Sequence, residues 1–381
     1  MRIAINTRFL LSSKMEGFGW YTFEITKRLV ENHPKHEFVF FFDRPFDKKF
    51  VFGPNVTPIV LSPPARHPFL FIYWFEVAVK RALIKHKIDV FFSPDGYLSL
   101  GSTVPQIAVI HDINFEHYPK DLPFSALKYL KHYVPKFAKK ANKIITVSDY
   151  SKQDLINQYG LSDDKITVAW NGASDHFRPI PEDERALVRQ AYSNDLPYFL
   201  FVGAIHPRKN VKRLIEAFVL FKKTSKSNVQ LLIVGESLWK NNPLQLNLSE
   251  EEQSQIHFTG HLPIEELAKI TASALALTYV PYFEGFGIPL VEAMKCGTPI
   301  ISGNLTSLPE VAGNAALYCN PFDINEIAAK MLEFYANAAL QQELSIAGLE
   351  RAKDFSWDNS ASIVWKEIEK LGSIIRNTVK S

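Results

Sequence analysis

Short apolar runs alternate along this chain with longer segments whose apolar residues recur at helical spacing. Such an alternation of strands and helices predicts parallel sheets with helices on both faces. The first-half strands are predicted at Arg2–Asn6, Glu37–Phe42, Asp89–Ser93, Gln106–His111, Lys143–Ser148 and Lys165–Trp170. The first-half helices are predicted near Trp20–Glu31, Leu70–His86, Pro123–Ala141 and Tyr150–Tyr159.

A second series of the same kind begins at Tyr198. Its strands are predicted at Tyr198–Val202, Gln230–Val234, Ile256–Thr259, Ala274–Tyr279 and Pro299–Ser302. Its helices are predicted at Val211–Lys222, Ile264–Ala272, Pro289–Cys296 and Ile324–Tyr335. Two prolines and a charge run at Phe177–Glu184 indicate a linker between the series. With 381 residues, the chain is predicted to form two doubly wound α/β domains. The helical tail from Trp357 to Ser381 could pack on either one.

Composition narrows the class of protein. The hydrophobic share of 46% and charged share of 22% are those of a soluble globular protein, and a net charge of +3 is too balanced to indicate nucleic-acid binding. Cys296 and Cys319 do not make a disulfide framework, so a reducing compartment is expected. We see no signal peptide and no membrane-spanning run, and therefore predict a cytoplasmic protein.

The most informative segment runs from Glu284 to Glu292 and places a glycine-rich loop between two carboxylates. Gly285 and Gly287 have no Cβ and therefore let backbone N–H groups approach a ligand closely. Pro289 suits the start of a helix. A helix start favours an anion such as phosphate. Because Glu292 can accept hydrogen bonds from hydroxyl groups, the segment predicts a ligand with both phosphate and sugar hydroxyls.

A second segment, Gly203 to Asn210, follows a buried strand and precedes a helix. Arg208 and Lys209 are adjacent there and can bind a diphosphate, one as a fork and one as a point charge. Taken alone, the turn could be a solvated basic turn with Asn210 as the helix cap. We favour the diphosphate because the Glu284–Glu292 loop is predicted to lie in the same crevice between the domains.

The first-domain candidates are a glycine turn and a histidine. The segment with Gly17 and Gly19 lacks the third glycine of a dinucleotide-binding fingerprint. A loop that contacts phosphate or acceptor and a plain tight turn are therefore equally good interpretations of this segment. His111 ends an apolar strand and is predicted to point into the crevice, where it could bind a sugar hydroxyl or move a proton, with Asp112 orienting it.

We predict no metal site, since the sequence has no Asp-x-Asp pair. Lysines between Lys128 and Lys143, with interleaved aromatics, are predicted to cluster on one helix that Pro135 interrupts. They could contact an anionic membrane or a phosphorylated acceptor, although a solvated face is the commoner explanation.

Together these residues resemble the retaining glycosyltransferases of family 4, which have the GT-B fold. The similarity runs from Gly17-Phe18-Gly19 through His111-Asp112, Val147 to Ser151, Asn171-Gly172 and Gly203 to Asn210, and then from Glu284 to Ile301 and Leu308 to Val311. The two glutamates with the downstream Gly-Thr-Pro are its most specific part. The resemblance implies an acceptor-side domain at 1–178 to which a C-terminal helix at 358–381 returns, and a donor-binding domain at 179–357.

Residue roles are also implied by the resemblance. Arg208 and Lys209 would hold the donor diphosphate, with Gly203 in the same turn. The backbone at Phe286, Gly287 and Ile288 would bind phosphate. The remaining roles would fall to Glu292 for the ribose, Glu284 for the transferred sugar and His111 for the sugar and acceptor.

The sequence and the resemblance together predict a metal-independent enzyme without a cofactor that transfers a sugar from a nucleoside-diphosphate donor to a glycan or lipid-linked acceptor. Retention is implied by the resemblance alone. GDP-mannose is inferred only because Gly17 to Thr22 resembles bacterial mannosyltransferases. The alternatives are a related sugar synthase or phosphorylase and a non-catalytic sugar-nucleotide-binding module. Contact with a membrane surface at the periphery stays open.

Overall fold

A computed structural model describes residues 1–11, 15, 17–65, 67–236 and 246–380, except for the side chains of residues 68 and 374–380. The chain forms two compact units, which are described separately. One unit comprises Met1–Asn171 and Ser356–Ser381, and the other comprises Gly172–Phe355. In the part of the chain that is described, no helix has the length and apolarity to cross a membrane.

The first unit contains a seven-stranded parallel sheet in the order β3-β2-β1-β4-β5-β6-β7. Its strands are β1 Arg2–Asn6, β2 Glu37–Phe42, β3 Val56–Val60, β4 Val90–Ser93, β5 Gln106–Val109, β6 Lys143–Thr146 and β7 Ile166–Val168. Its helices are α1 Gly17–Asn32, α2 Pro68–Tyr73, α3 Lys80–Lys85, α4 Asn114–His117, α5 Phe124–Lys140 and α6 Asp149–Tyr159. A π-helix at Trp74–Val79 joins α2 to α3.

The second unit contains a six-stranded parallel sheet in the order β10-β9-β8-β11-β12-β13. Its strands are β8 Tyr198–Val202, β9 Gln230–Val234, β10 Ile256–Gly260, β11 Ala276–Tyr279, β12 Ile300–Gly303 and β13 Ala316–Cys319. Its helices are α7 Glu182–Ser193, α8 Val211–Ser225, α9 Glu250–Ser254, α10 Ile264–Ser273, α11 Ile288–Lys295, α12 Leu308–Ala312, α13 Ile324–Ala336 and α14 Ala338–Arg351.

The predicted α/β class is confirmed, and the apolar strand pattern has a direct cause. Each residue of β8, β9 and β11 is buried, because a parallel sheet with helices on both faces leaves neither side of a central strand in water. Strand β3 escaped prediction because it contains Pro58. An edge strand tolerates a proline, and β3 is the edge of its sheet.

The predicted linker at Phe177–Glu184 is wrong in its second part, since α7 begins at Glu182. Pro181 precedes this helix rather than breaking it. The acidic run at 182–184 forms the first turn, where negative charge is stabilised by the helix dipole. Helix α14 and strand β13 were not predicted.

Three further predictions need correction. Gly17 and Gly19 lie in the first turn of α1 rather than in a loop. Position 19 requires a glycine because a Cβ there would lie 2.8 Å from the carbonyl oxygen of Phe9. Pro135 does not interrupt α5, which continues to Lys140. Lys143 begins β6 and is therefore not part of that helix.

The C-terminal helix α15, Trp357–Lys380, belongs to the first unit, as the GT-B resemblance implied. It packs along α1, and the ring of Trp365 stacks on His33, the residue after α1, at a centroid distance of 3.6 Å. The hydroxyl group of Ser360 donates to the carbonyl oxygen of Trp170, which fixes the beginning of the helix.

A close approach of two backbones shapes the carboxyl ends of β8 and β9. Gly203 and Gly235 both have φ of +147°, and a Cβ placed on Gly235 would lie 2.0 Å from the carbonyl oxygen of Gly203. Because only glycine allows this approach, β9 can lie close to the turn that carries Arg208 and Lys209.

We predict that Gly235→Ala lowers the free energy of unfolding by about 3 kcal/mol or more, since the clash is with backbone. Gly160 is a matched control, because it has φ of +63° but nothing within 4 Å of a Cβ placed there. Gly160→Ala is expected to cost only about 1 to 2 kcal/mol. Equal losses in urea unfolding of the two variants would contradict the packing argument.

Candidate functional site

Two cations of the second unit converge on one carboxylate. The Nη1 atom of Arg208 lies 2.9 Å from Oε1 of Glu284, and the Nζ atom of Lys209 lies 2.5 Å from the same oxygen. The cations follow β8, and Glu284 follows β11. These strands are neighbours in a parallel sheet, so the loops at their carboxyl ends lie at the same edge.

Asn210 ties three loops of the second unit together. Its Nδ2 atom donates to the carbonyl oxygens of Val280 at 2.9 Å and Pro321 at 2.6 Å. It occupies the position before α8 with φ of +63°, but its side chain makes no capping hydrogen bond. The alternative in which Asn210 caps the helix is therefore wrong, since the amide is used to join the loops after β8, β11 and β13.

Backbone contacts fix the same junction. The backbone N–H of Tyr282 donates to the carbonyl oxygen of Arg208 at 3.1 Å, and Arg208 Nη1 donates to the carbonyl oxygen of Phe283 at 3.2 Å. The guanidinium group is thus held by the loop that leads into α11. It does not point away from that helix into bulk solvent.

Tyr279 is a site residue that the sequence did not reveal. Its hydroxyl oxygen accepts a hydrogen bond from Lys209 Nζ at 2.7 Å, and the same hydroxyl is hydrogen-bonded to Glu284. Tyr279 is the last residue of a fully buried strand, where an aromatic residue is expected on packing grounds alone. Only the neighbouring strand order shows that its hydroxyl group reaches the cations.

Glu284 is buried but ionised. Burial acts to raise the pKa of its carboxyl group, yet the charges of Arg208 and Lys209 together lower that pKa below its ordinary value. The carboxylate is anchored through its backbone, which donates to Thr306 Oγ1 at 3.2 Å and accepts from Ser307 Oγ at 3.0 Å. The structure therefore holds a charged triad of fixed geometry.

The backbone amides of residues 286–288 lie at the beginning of α11. Gly287 has φ of +94° and precedes α11, which begins at Ile288, one residue before the predicted Pro289. Among the described residues, the N–H groups of Phe286, Gly287 and Ile288 donate to no hydrogen-bond acceptor. Consecutive free amides at the positive end of a helix form a suitable environment for an anion.

Phe286 anchors this loop. Its side chain is buried and meets the ring of Phe355 edge to face at a centroid distance of 5.7 Å. The backbone that leads into α11 is thereby held at Glu284, before the two glycines, and at Phe286, between them. A loop held by such contacts loses less conformational freedom when it binds a ligand.

Glu292 lies one turn into α11. Burial raises the pKa of its carboxyl group to about 8. Within the described residues, the carboxyl group has no hydrogen-bond partner in the protein. A carboxyl group left in this state can bind hydroxyl groups of a ligand without first breaking a protein contact.

His111 belongs to the first unit and lies two residues beyond the end of β5. Its Nε2 atom is 2.9 Å from the carbonyl oxygen of Pro94, and burial lowers the pKa of the imidazole. The expectation that Asp112 orients the ring is wrong, because Asp112 Oδ1 instead accepts from the backbone N–H of Asn114 at 3.1 Å. The orienting group is a backbone carbonyl.

The beginning of α1 lies against the histidine. The ring of Phe18 meets the imidazole of His111 edge to face at 4.8 Å, and Tyr21 does so at 4.7 Å. The Gly17–Gly19 turn and His111 are thus brought together within the first unit. The cations, the loop amides and Glu292 are brought together within the second.

A buried ion pair in the first unit was also missed. Arg8 Nε lies 2.5 Å from Asp95 Oδ2, both side chains are almost fully buried, and the guanidinium group lies 4.3 Å from the ring centroid of Tyr97. Asn6 adds a hydrogen bond to Asp95 at 2.8 Å. Asn6 ends β1, whereas Arg8 follows β1 and Asp95 follows β4, and these positions in the chain were the available signal.

The described residues contain no group of three or more His, Cys, Asp or Glu side chains that could hold a metal ion.

Comparison with known proteins gives the family. Residues 184–351 match the model described as "Glycosyl transferases group 1", and residues 15–176 match "Glycosyltransferase Family 4". The chain is 29% identical over 357 residues to O-antigen chain mannosyltransferase B of Escherichia coli, covering 91% of this chain and 93% of the relative. It is 30% identical over 261 residues to O-antigen chain mannosyltransferase RfbU of Salmonella typhimurium, covering 67% of each.

Among solved structures, the sucrose-phosphate synthase of Thermosynechococcus elongatus aligns with a TM-score of 0.77 at 19% identity, over 98% of this chain and 99% of that one. That similarity supports the fold. The chain belongs to the glycosyltransferases of group 1 and family 4, and the predicted family and GT-B fold are confirmed.

Protonation of Glu292 makes stability depend on pH. Folding raises the pKa of the Glu292 carboxyl group from 4.5 to about 8, so protonation of this group stabilises the folded state. This stabilisation is lost as pH rises between those two values. We predict that the free energy of unfolding of the native protein falls more steeply with pH than that of Glu292→Gln, by up to about 1.4 kcal/mol per pH unit.

Glu343→Gln, at an exposed position of α14, is the control and is expected to follow the native protein. Thermal melts between about pH 5 and pH 8 make the comparison. Parallel curves for the native protein and Glu292→Gln would show that the carboxyl group does not titrate in this range.

Proposed function

We propose that this glycosyltransferase moves a hexose, with retention and without a metal ion, from a nucleoside-diphosphate sugar to a glycan or lipid-linked acceptor. The observation that carries the proposal is the convergence of Arg208, Lys209 and the free amides of residues 286–288 in one unit.

The charge of the site suits a diphosphate. Two cations and one carboxylate leave a net positive charge at Glu284, and the start of α11 adds the positive end of a helix dipole. Negative charge grows on the leaving diphosphate during transfer. Fixed donors that face this charge can lower the barrier by several kcal/mol.

Glu284 takes two roles in this proposal. In the free protein it holds the two cations close together, although they would otherwise repel each other. When the donor is bound, the carboxylate of Glu284 also accepts a hydrogen bond from a hydroxyl group of the transferred sugar. Gly203 begins the cation turn with a φ of +147°, a backbone conformation that residues with a side chain rarely adopt.

Glu292 is proposed to bind the ribose. A diol donates two hydrogen bonds most effectively to an ionised carboxylate, so ribose binding would favour deprotonation of Glu292. His111 is proposed to contact the sugar and the acceptor from the first unit, as a neutral imidazole oriented by Pro94. Gly17 and Gly19 act by placing Phe18 against that ring.

GDP-mannose is the proposed donor. Its support is that the Escherichia coli and Salmonella typhimurium relatives are named as mannosyltransferases of the O-antigen chain. The corresponding acceptor would be a growing polysaccharide. Transfer would take place in the cytoplasm.

Substitutions of Lys209 and Glu284 should distinguish a loss of nucleoside-diphosphate binding from a loss of sugar transfer. We predict that Lys209→Ala weakens nucleoside-diphosphate binding and lowers transfer by about 100-fold or more. Glu284→Ala should lower transfer to a similar extent but retain nucleoside-diphosphate binding, because the cations remain and the competing anion is gone. Calorimetry with GDP and a donor-consumption assay provide the two measurements.

Lys212→Ala is the matched control, since Lys212 is exposed on the same helix that follows the cation turn. It should leave both measurements unchanged, and circular dichroism should show that all three variants are folded. Native turnover in Lys209→Ala and Glu284→Ala would refute the assigned roles.

The identity of the donor is tested by thermal shift. We expect GDP-mannose to raise the melting temperature more than UDP-glucose or ADP-glucose at equal concentration, because only a ligand bound to the native state stabilises it. A larger shift with another nucleotide would overturn the choice of base. Turnover that requires inorganic phosphate would instead indicate a phosphorylase.

A further inference from the structure

The most exposed aromatic side chains of the described chain lie on two helices that contact each other. Phe69 on α2 is 85% exposed, and Phe124 at the start of α5 is 79% exposed. Tyr73, one turn after Phe69 on the same face, is 46% exposed. Helices α2 and α5 pack together through Phe71 and Tyr129, whose ring centroids are 5.6 Å apart.

A basic stripe continues from this aromatic cluster along α5. The exposed residues at helical spacing after Phe124 are Lys128, Lys131, His132, Lys136 and Lys139. Helix α5 contains no acidic residue. Among the described residues, Glu116 is the one carboxylate within salt-bridge distance of these lysines, at 3.4 Å from Lys131.

We propose that this surface, formed by Phe69, Tyr73, Phe124 and the basic stripe of α5, binds the first unit to an anionic lipid bilayer. Exposed aromatic rings are stable at the boundary between headgroups and acyl chains, and lysines beside them are attracted to anionic headgroups. Each lysine near such a surface contributes about 1 kcal/mol. Phe124 lies at helical spacing from the lysines on α5, and the helix that carries Phe69 and Tyr73 packs against α5.

The geometry favours a bilayer over the other occupants. From Lys128 to Lys139 the stripe extends about 17 Å, at about 1.5 Å per helical residue. That length exceeds what a single phosphate group can neutralise, so a phosphorylated acceptor does not match it. A second copy of the chain would bring two basic stripes together, and their repulsion disfavours a symmetric dimer.

Flotation with lipid vesicles tests the proposal without any sugar donor, so its failure is distinct from failure of the proposed function. The native protein should float with vesicles containing about a third phosphatidylglycerol and stay behind with pure phosphatidylcholine. Binding should weaken when salt rises from about 0.1 M to about 1 M, since the Debye length falls from about 10 Å to about 3 Å.

Two double variants separate the contributions. Phe69→Ser with Phe124→Ser, and Lys128→Glu with Lys139→Glu, should each weaken binding to the anionic vesicles by about tenfold or more. Phe258→Ser is a matched control because Phe258 is 51% exposed on β10 of the other unit, and Lys212→Glu is the matched charge control. Both controls should bind as the native protein does.

Several outcomes would overturn the proposal. One is equal binding to neutral and anionic vesicles, or none to either. Another is native binding by both double variants, with unchanged melting temperatures showing that they are folded. Displacement from anionic vesicles by millimolar inorganic phosphate at constant ionic strength would indicate a phosphate site instead. Sedimentation of a dimer that Phe69→Ser with Phe124→Ser dissociates would indicate self-association.

Discussion

The shared ion pair at Glu284 is the constraint on which the second unit's site depends. Arg208 and Lys209 are consecutive cations, and both reach one buried carboxylate oxygen. Burying charge is costly unless it is paired, so the three groups stabilise one another's ionised states. Tyr279, the last residue of the buried strand β11, contributes a hydroxyl group that accepts a hydrogen bond from Lys209. The result is a concentrated, rigid electrostatic feature in the absence of any ligand.

The parallel sheet is what makes this arrangement possible. Loops after neighbouring parallel strands emerge at one edge, so a turn near residue 208 meets a loop near residue 284 although they are far apart in the chain. Asn210 then joins the loops through carbonyl groups after β11 and β13. The glycines at 203 and 235 bring β9 close behind the cation turn. Fold and charge therefore act together, and the amides of residues 286–288 follow the same carboxylate closely in the chain.

Much of the fold could be predicted because its strands are continuous apolar runs bounded by turns. Glu37–Phe42 and Tyr198–Val202 were predicted to the residue. The failures have local causes, such as Pro58 in an edge strand and an acidic run at 182–184 that begins a helix. The charged candidates of the second unit could be found because their residue types and spacing are chemically distinctive. The contacts of Tyr279, Asn210 and Arg8 could not, since they depend on which strands are neighbours. The roles of the site residues in transfer stay predictions.

A crystal structure of the protein with a bound nucleoside diphosphate would test the central claim most directly. The account predicts phosphate oxygens within hydrogen-bond distance of Arg208, Lys209 and the amides of residues 286–288, with Glu284 still beside the cations and Glu292 at the ribose. A diphosphate bound elsewhere in the second unit, with the two cations contacting Glu284 alone, would contradict it.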